Sequence, residues 1–157
     1  MENYLEILED SLLQKKALLD QIAAHSGKQE ELLKQEKLSL EDFDAYVDKK
    51  DVLIQKLVKL DEGFDLLYER IKEQIQENKD TYRGQIARLQ ELISQITEKS
   101  VSIQAQESRN KTMVEQHFKG LRQEMKQSRK SSKAAYGYYK SMSNTNIVGP
   151  QYMDEKN

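Results

Sequence analysis

Apolar residues recur at steps of three, four and seven along most of the chain, the spacing that places them on one face of an α-helix. The stripe fades at residues 35–37, and Ser39 followed by Asp42 is an acceptable helix start. We therefore expect a helix over residues 2–36 and a turn near residues 36–39. Three polar side chains share the stripe and predict a leaky seam; its members are Leu5, Leu8, Leu12, Lys15, Leu19, Ile22, Ser26, Gln29 and Leu33.

A second stripe predicts a helix over residues 40–77, with Lys50 as its one polar interruption. Between Ile71 and Tyr82 the stripe changes phase by four residues. The helix either continues as one rod with altered twist or turns at residues 78–81, with Asp80 capping the next helix. We expect the turn. The apolar members are Phe43, Tyr46, Leu53, Leu57, Leu60, Phe64, Leu67 and Ile71.

A third stripe predicts a helix over residues 81–129. Glu107 and Asn110 interrupt it, and two interpretations are open. They form either a buried polar layer that fixes register or a stretch open to solvent. The stripe consists of Ile86, Leu89, Ile93, Ile96, Ser100, Ile103, Glu107, Asn110, Val114, Phe118, Leu121 and Met125.

These lengths predict an all-α fold, an antiparallel bundle of three or four long helices with coiled-coil-like packing over residues 1–130. At 1.5 Å per residue, the first two helices are roughly 50–57 Å long and the third about 73 Å. Folded back from a turn near Asp80, the third helix draws level with residue 40 near residue 117. The stretch beyond, with Phe118, Leu121 and Met125, would overhang the bundle as an exposed apolar patch, which usually means interaction.

The composition agrees with a narrow helical seam. Of 157 residues, 37% are hydrophobic and 33% charged, with one proline, a profile typical of long helices. Residues 1–110 carry a net charge of −7 and residues 111–140 a net charge of +6. The basic segment could bind nucleic acid or an anionic membrane. No groove-reading motif accompanies it, and cations also complement a helix C-terminus, so we expect no nucleic-acid partner.

Enzyme chemistry finds no support in the sequence. The chain has no cysteine, and its two histidines, His25 and His117, are far apart, with neither three residues after a glutamate. There is no glycine-rich phosphate loop and no nucleophile elbow. We expect no enzyme activity, no cofactor and no metal. The acidic N-terminal residues lack a signal peptide and no apolar run approaches about 20 residues, so we expect a cytoplasmic protein without integral membrane association.

Residues 131–157 lose the apolar period yet keep a cluster of three tyrosines within four positions, Tyr136, Tyr138 and Tyr139. Glycine, proline, serine and asparagine surround them, which predicts a flexible tail. Tyrosine and methionine are common at recognition surfaces, so we expect the tail to contact a partner. The alternative is that Tyr136 packs back on the helix end.

Several stretches together resemble the FlgN type of flagellar export chaperone. They are residues 49–57 (KKDVLIQKL), residues 103–110 with Ile103, Gln104, Glu107 and Asn110, and the close, with Ala135-Tyr136, Tyr139-Lys140-Ser141-Met142 and Tyr152-Met153-Asp154-Glu155-Lys156. Members of that family end in a tyrosine-lysine segment, a polar spacer and an aromatic-aliphatic-Asp-Lys-Lys terminus. Glu155 replaces the first of those lysines here.

The resemblance implies a chaperone that binds hook–filament junction (hook-associated) proteins and delivers them to the flagellar type III export gate. It places export-gate docking on Tyr136, Tyr138 or Tyr139, without choosing among them. Substrate contact in the family belongs to the C-terminal helical region, which maps to Met113, Val114, Phe118, Leu121 and Met125.

One rival hypothesis is a coiled-coil scaffold or tether whose overhang pairs with a second copy of the chain. The sequence leaves open whether the protein is a monomer or a homodimer.

Overall fold

The computed structural model describes residues 1–117, 119 and 137–138, and its three long elements are all α-helices: α1 (Glu2–Leu33), α2 (Leu40–Glu77) and α3 (Arg83–His117). The all-α prediction is confirmed, and α2 has the expected bounds. Helix α1 ends three residues early and α3 starts two residues late. The rest of the helix expected over 81–129, and all but residues 137–138 of the tail expected over 131–157, lie outside the described residues.

The three helices form an up-down-up bundle in which α1 packs against both α2 and α3. Lys15 Nζ is 2.7 Å from Asp61 Oδ1, whereas Gln29 Nε2 donates to the carbonyl of Phe43 at 3.3 Å, so α1 and α2 are antiparallel. Lys16 Nζ donates to Gln95 Oε1 at 2.7 Å, while Ser26 further along α1 bonds Glu107, which makes α1 and α3 parallel.

The connection between α2 and α3 is a turn at residues 78–82 and not a continuous rod. The side-chain amide of Asn78 donates to the carbonyl of Gln74 at 2.8 Å, and the carbonyl of Tyr82 accepts the N–H of Ile86 at 2.9 Å. Asp80 does not cap α3 as expected, because its carboxylate accepts a hydrogen bond from the Arg83 guanidinium instead. The preceding turn follows the prediction. There, Ser39 Oγ accepts the N–H of Asp42 at 3.3 Å.

Burial follows the predicted stripes closely on α1 and α3. All nine positions of the α1 stripe are buried, including its polar members. On α2 the prediction is wrong in detail: Val47 and Tyr68 are buried, while Leu60 and Leu67 are only half-buried. The buried positions of α2 step from Leu57 to Tyr68, and eleven residues make three helical turns. A seven-residue period continued from Leu60 predicts burial of Leu67, whereas the buried residue is its neighbour Tyr68.

The apolar core is divided into two clusters. The larger one takes residues from all three helices, including Leu8, Leu57 and Ile96. The smaller one lies at the end of the bundle where α1 meets α2, and it consists of Leu33, Phe43, Val47 and Val114.

Between the two clusters lies a buried polar layer of Ser26, Lys50, Glu107 and Asn110. Lys50 and Glu107 are 3% and 2% exposed, and Lys50 Nζ is 2.7 Å from Glu107 Oε1. The hydroxyl of Ser26 donates to the same carboxylate oxygen at 2.5 Å and accepts from Lys50 Nζ at 3.3 Å. Asn110 Nδ2 donates to the carbonyl of Ser26 at 2.9 Å. Of the two interpretations of Glu107 and Asn110, the buried layer is confirmed.

Removing one member of the Lys50–Glu107 pair should destabilise the fold more than removing both. Lys50→Met or Glu107→Leu leaves an uncompensated buried charge, which costs about 3–5 kcal/mol, whereas replacement of both by apolar residues is often close to neutral. Urea unfolding followed by circular dichroism measures each variant. The matched control is Lys28→Met with Glu31→Leu, an exposed pair whose loss should change little. Equal, small effects from all variants would contradict the buried pair.

Candidate functional site

The described end of α3 is packed and not open. Val114 is 3% exposed and belongs to the small cluster with Leu33, Phe43 and Val47. Met113 is half-buried against the same cluster. Val114 is therefore a core residue in this conformation, contrary to its assignment to a substrate-binding surface. The reason is geometric: at this height α3 still lies beside the turn that joins α1 and α2.

The bundle closes at His117. An imidazole nitrogen of His117 (Nε2) contacts the carbonyl of Leu33, the last residue of α1. Residue 117 of α3 is thus level with the end of α1, as the predicted helix lengths required. Phe118, Leu121 and Met125 lie outside the described residues, and the apolar overhang stays a prediction.

Tyr138 is held against the bundle by a chain of polar contacts. Its hydroxyl donates to Asp61 Oδ2 at 2.8 Å, and Asp61 Oδ1 accepts from Lys15 Nζ at 2.7 Å. The ring packs against the large apolar cluster. Lys15 is 6% exposed, so its charge needs the Asp61 carboxylate. We call this set, Lys15, Asp61 and Tyr138, the tyrosine seat; Tyr136 and Tyr139 lie outside the described residues.

The electrostatics of the seat keep the phenol protonated. Burial raises the pKa of Tyr138, and the negative charge of Asp61 and its hydrogen bond act in the same direction. Burial also raises the pKa of nearby Asp65, with further contributions from Asp61 and Glu69, against the opposing effect of Lys15. The seat therefore suits a neutral tyrosine and would repel a tyrosinate.

Sequence reasoning missed two of the three residues of the seat. The signal for Lys15 was present, since a lysine on an apolar stripe requires an acidic partner when it is buried. Nothing in the sequence points to Asp61 as that partner, because Asp61 is one of several acidic residues along α2. Tyr138 was assigned to contact with another protein, and here it contacts its own bundle.

The described residues offer no metal site and no membrane span. Among them, no group of three or more His, Asp or Glu side chains could hold an ion. No helix that the structure describes is long and apolar enough to cross a bilayer.

Comparison of the chain with protein-family models, with curated proteins and with solved structures returns no match. A functional assignment therefore depends on the residues of this chain and on the resemblance in its sequence motifs.

The tyrosine seat makes a prediction for pH. The pKa of Tyr138 in the folded protein is above the ordinary value of about 10. The seat should therefore contribute its full stability below about pH 10 and lose it as the pH rises further. NMR of protein labelled at the tyrosine Cζ carbon should show one resonance, absent in Tyr138→Phe, that keeps its neutral shift at pH values where free tyrosine has ionised.

Asp61→Asn should let that resonance titrate at lower pH, since the carboxylate charge is gone, whereas the exposed Tyr4→Phe should leave it unchanged. Ionisation of Tyr138 near pH 10 in the unaltered protein would contradict the seat.

Proposed function

We propose that this chain is a FlgN-type export chaperone, which binds hook-associated flagellar proteins and delivers them to the type III export gate. The observation that carries the proposal is the position at which the bundle closes. His117 is level with Leu33, so neither α1 nor the start of α2 continues beyond that height. The apolar stripe of α3 nevertheless continues in the sequence through Phe118, Leu121 and Met125.

Among the described helices, none extends beyond His117 to face the continued stripe, and we propose that a helix of a partner takes that place. An amphipathic helix laid on the stripe would meet apolar side chains at helical spacing, the helix-in-groove mode of recognition. The small cluster would form the inner border of this site, with Val114 as its buried floor and Met113 as its half-buried edge. The resemblance supplies the identity of the partner, the aggregation-prone terminal helices of hook-associated proteins.

The binding site can be separated from the core by matched substitutions. Phe118→Ser with Leu121→Ser should abolish binding of the hook-associated proteins and leave the melting temperature nearly unchanged, because the proposal places few native contacts there. Val114→Ser is the matched control, and it should destabilise the bundle because it removes a buried apolar side chain. Isothermal titration and thermal unfolding measure the two effects.

Unfolding of the double variant by several kcal/mol would identify Phe118 and Leu121 as core residues and end the exposed-stripe hypothesis. Loss of a dimer in the double variant, with no hook-associated protein bound by the unaltered chain, would favour the self-associating scaffold.

Delivery of the substrate to the export gate should depend on the three clustered tyrosines after residue 130 and not on the helical bundle. Replacing Tyr136, Tyr138 and Tyr139 together by alanine should leave substrate binding intact and abolish secretion, since aromatic anchors dominate small interfaces. The control is Asp61→Asn, which weakens the tyrosine seat while all three tyrosines remain, and it should preserve secretion. Motility and secretion are measured in a flagellated cell that carries only the variant; normal secretion by the alanine variant would exclude docking through these tyrosines.

A further inference from the structure

A groove of about 480 Å³ runs between α1 and α2, level with the tyrosine seat but on the other side of α2, and far from the end of α3. Leu18 and Leu60 are half-buried in it, and Ala17 leaves space on the α1 side. Its lining residues are Gln14, Ala17, Leu18, Lys56, Lys59 and Leu60.

The rim of this groove is positively charged. Lys56 and Lys59 are exposed, and among the described residues no carboxylate lies within ion-pair distance of either. Further along the same side of α2, Lys49 Nζ lies 5.0 Å from the centre of the Tyr46 ring, and that ring contacts His25 of α1. The pKa of His25 is lowered, first by burial and then by the charges of Lys49 and Lys50. The positive potential thus extends along the α1–α2 side of the bundle.

Three acidic residues of α2 lie on a face away from the groove. Asp44, Asp51 and Asp65 are separated by multiples of seven residues, so they share one face of the helix. Lys49 and Lys56 share a different face by the same spacing, with Asp42 on that face near the start of α2. The raised pKa values of Asp44 and Asp65, caused by burial and then by neighbouring acidic residues, mark that first face as negative. The groove is therefore a positive strip on a bundle whose residues 1–110 carry a net charge of −7.

We propose that the α1–α2 groove is a second protein-docking site. It binds an amphipathic helix of a partner protein, in which acidic residues border the apolar stripe. The leucine side chains of such a helix would cover Leu18 and Leu60, and its carboxylates would pair with Lys56 and Lys59. Ten residues separate Lys49 from Lys59, a rise of about 15 Å, so a helix of a few turns spans the positive rim. Apolar burial supplies affinity and the charges select the partner. The site is independent of the proposed export role.

Two synthetic peptides of about 18 residues, five helical turns, test the site with the full chain. Both carry one stripe of leucines; one has glutamates beside the stripe and the other has lysines. The glutamate peptide should bind, with backbone amide shifts at residues 14–18 and 56–60, and its affinity should fall with added salt. Lys56→Glu with Lys59→Glu should weaken this peptide by about tenfold or more and reverse the preference toward the lysine peptide.

Two controls make the test specific. Lys37→Glu with Arg83→Glu makes the same change in net charge at exposed sites in the α1–α2 turn and at the start of α3, and it should leave binding unchanged. Ala17→Trp should fill the groove and abolish binding without a charge change, whereas Ala87→Trp on the exposed face of α3 should not.

Three results would overturn the proposal. The first is binding of the glutamate peptide that the Lys56/Lys59 variant does not weaken, or amide shifts confined to the basic segment after residue 118. The second is a dimer of the unaltered chain that Ala17→Trp dissociates, which would make the occupant a second copy. The third is a rise in peptide affinity of about tenfold when Asp154→Asn and Glu155→Gln remove two negative charges near the C-terminal end. Such a rise would mean that this acidic segment of the chain itself competes with the peptide and is the occupant of the groove.

Discussion

The hydrogen-bonded ion pair between Lys50 and Glu107 fixes how the three helices align. It joins α2 to α3, and through Ser26 it also reaches α1. Apolar stripes repeat every three to four residues, so leucine and isoleucine alone would tolerate a slip by one turn. Such a slip would leave a buried ammonium and a buried carboxylate unpaired, which costs several kcal/mol. A buried polar residue that selects one register at some cost in stability is the same device that coiled coils use.

The position of every candidate site follows from that register. It brings His117 level with Leu33, which sets the height at which the bundle closes. It also sets Lys15 beside Asp61, so that the tyrosine seat has its acceptor in place. Each polar member of the α1 stripe has a partner: Lys15 on Asp61, Ser26 on Glu107 and Gln29 on the Phe43 carbonyl. The three polar side chains that interrupt the apolar stripe of α1 are thus buried with specific hydrogen-bond partners.

The sequence predicts features that depend on neighbouring residues within one helix. It does not predict contacts between residues that are far apart in the chain. The α1 stripe could be read completely because a straight helix repeats its exposed and buried faces locally. The choice of Tyr68 over Leu67 depends on which side of α2 the other helices cover at that height, and apolar or aromatic residues stand at both positions. The contact between Tyr138 and Asp61 joins residues 77 positions apart, and several acidic residues of α2 were equal candidates by sequence alone. The burial of Val114 likewise depends on where the α1–α2 turn lies.

The positions of Lys59 and Asp61 on α2 determine how the groove and the tyrosine seat are arranged. Lys59 and Asp61 are separated by about 200° around the helix axis, at about 100° per residue. The tyrosine seat and the lysine-rimmed groove therefore use nearly opposite sides of α2. Both helices border both sites, α1 through Lys15 and Leu18 and α2 through Asp61 and Leu60. Coupling through these two helices would be a free energy between two sites and would act equally in both directions.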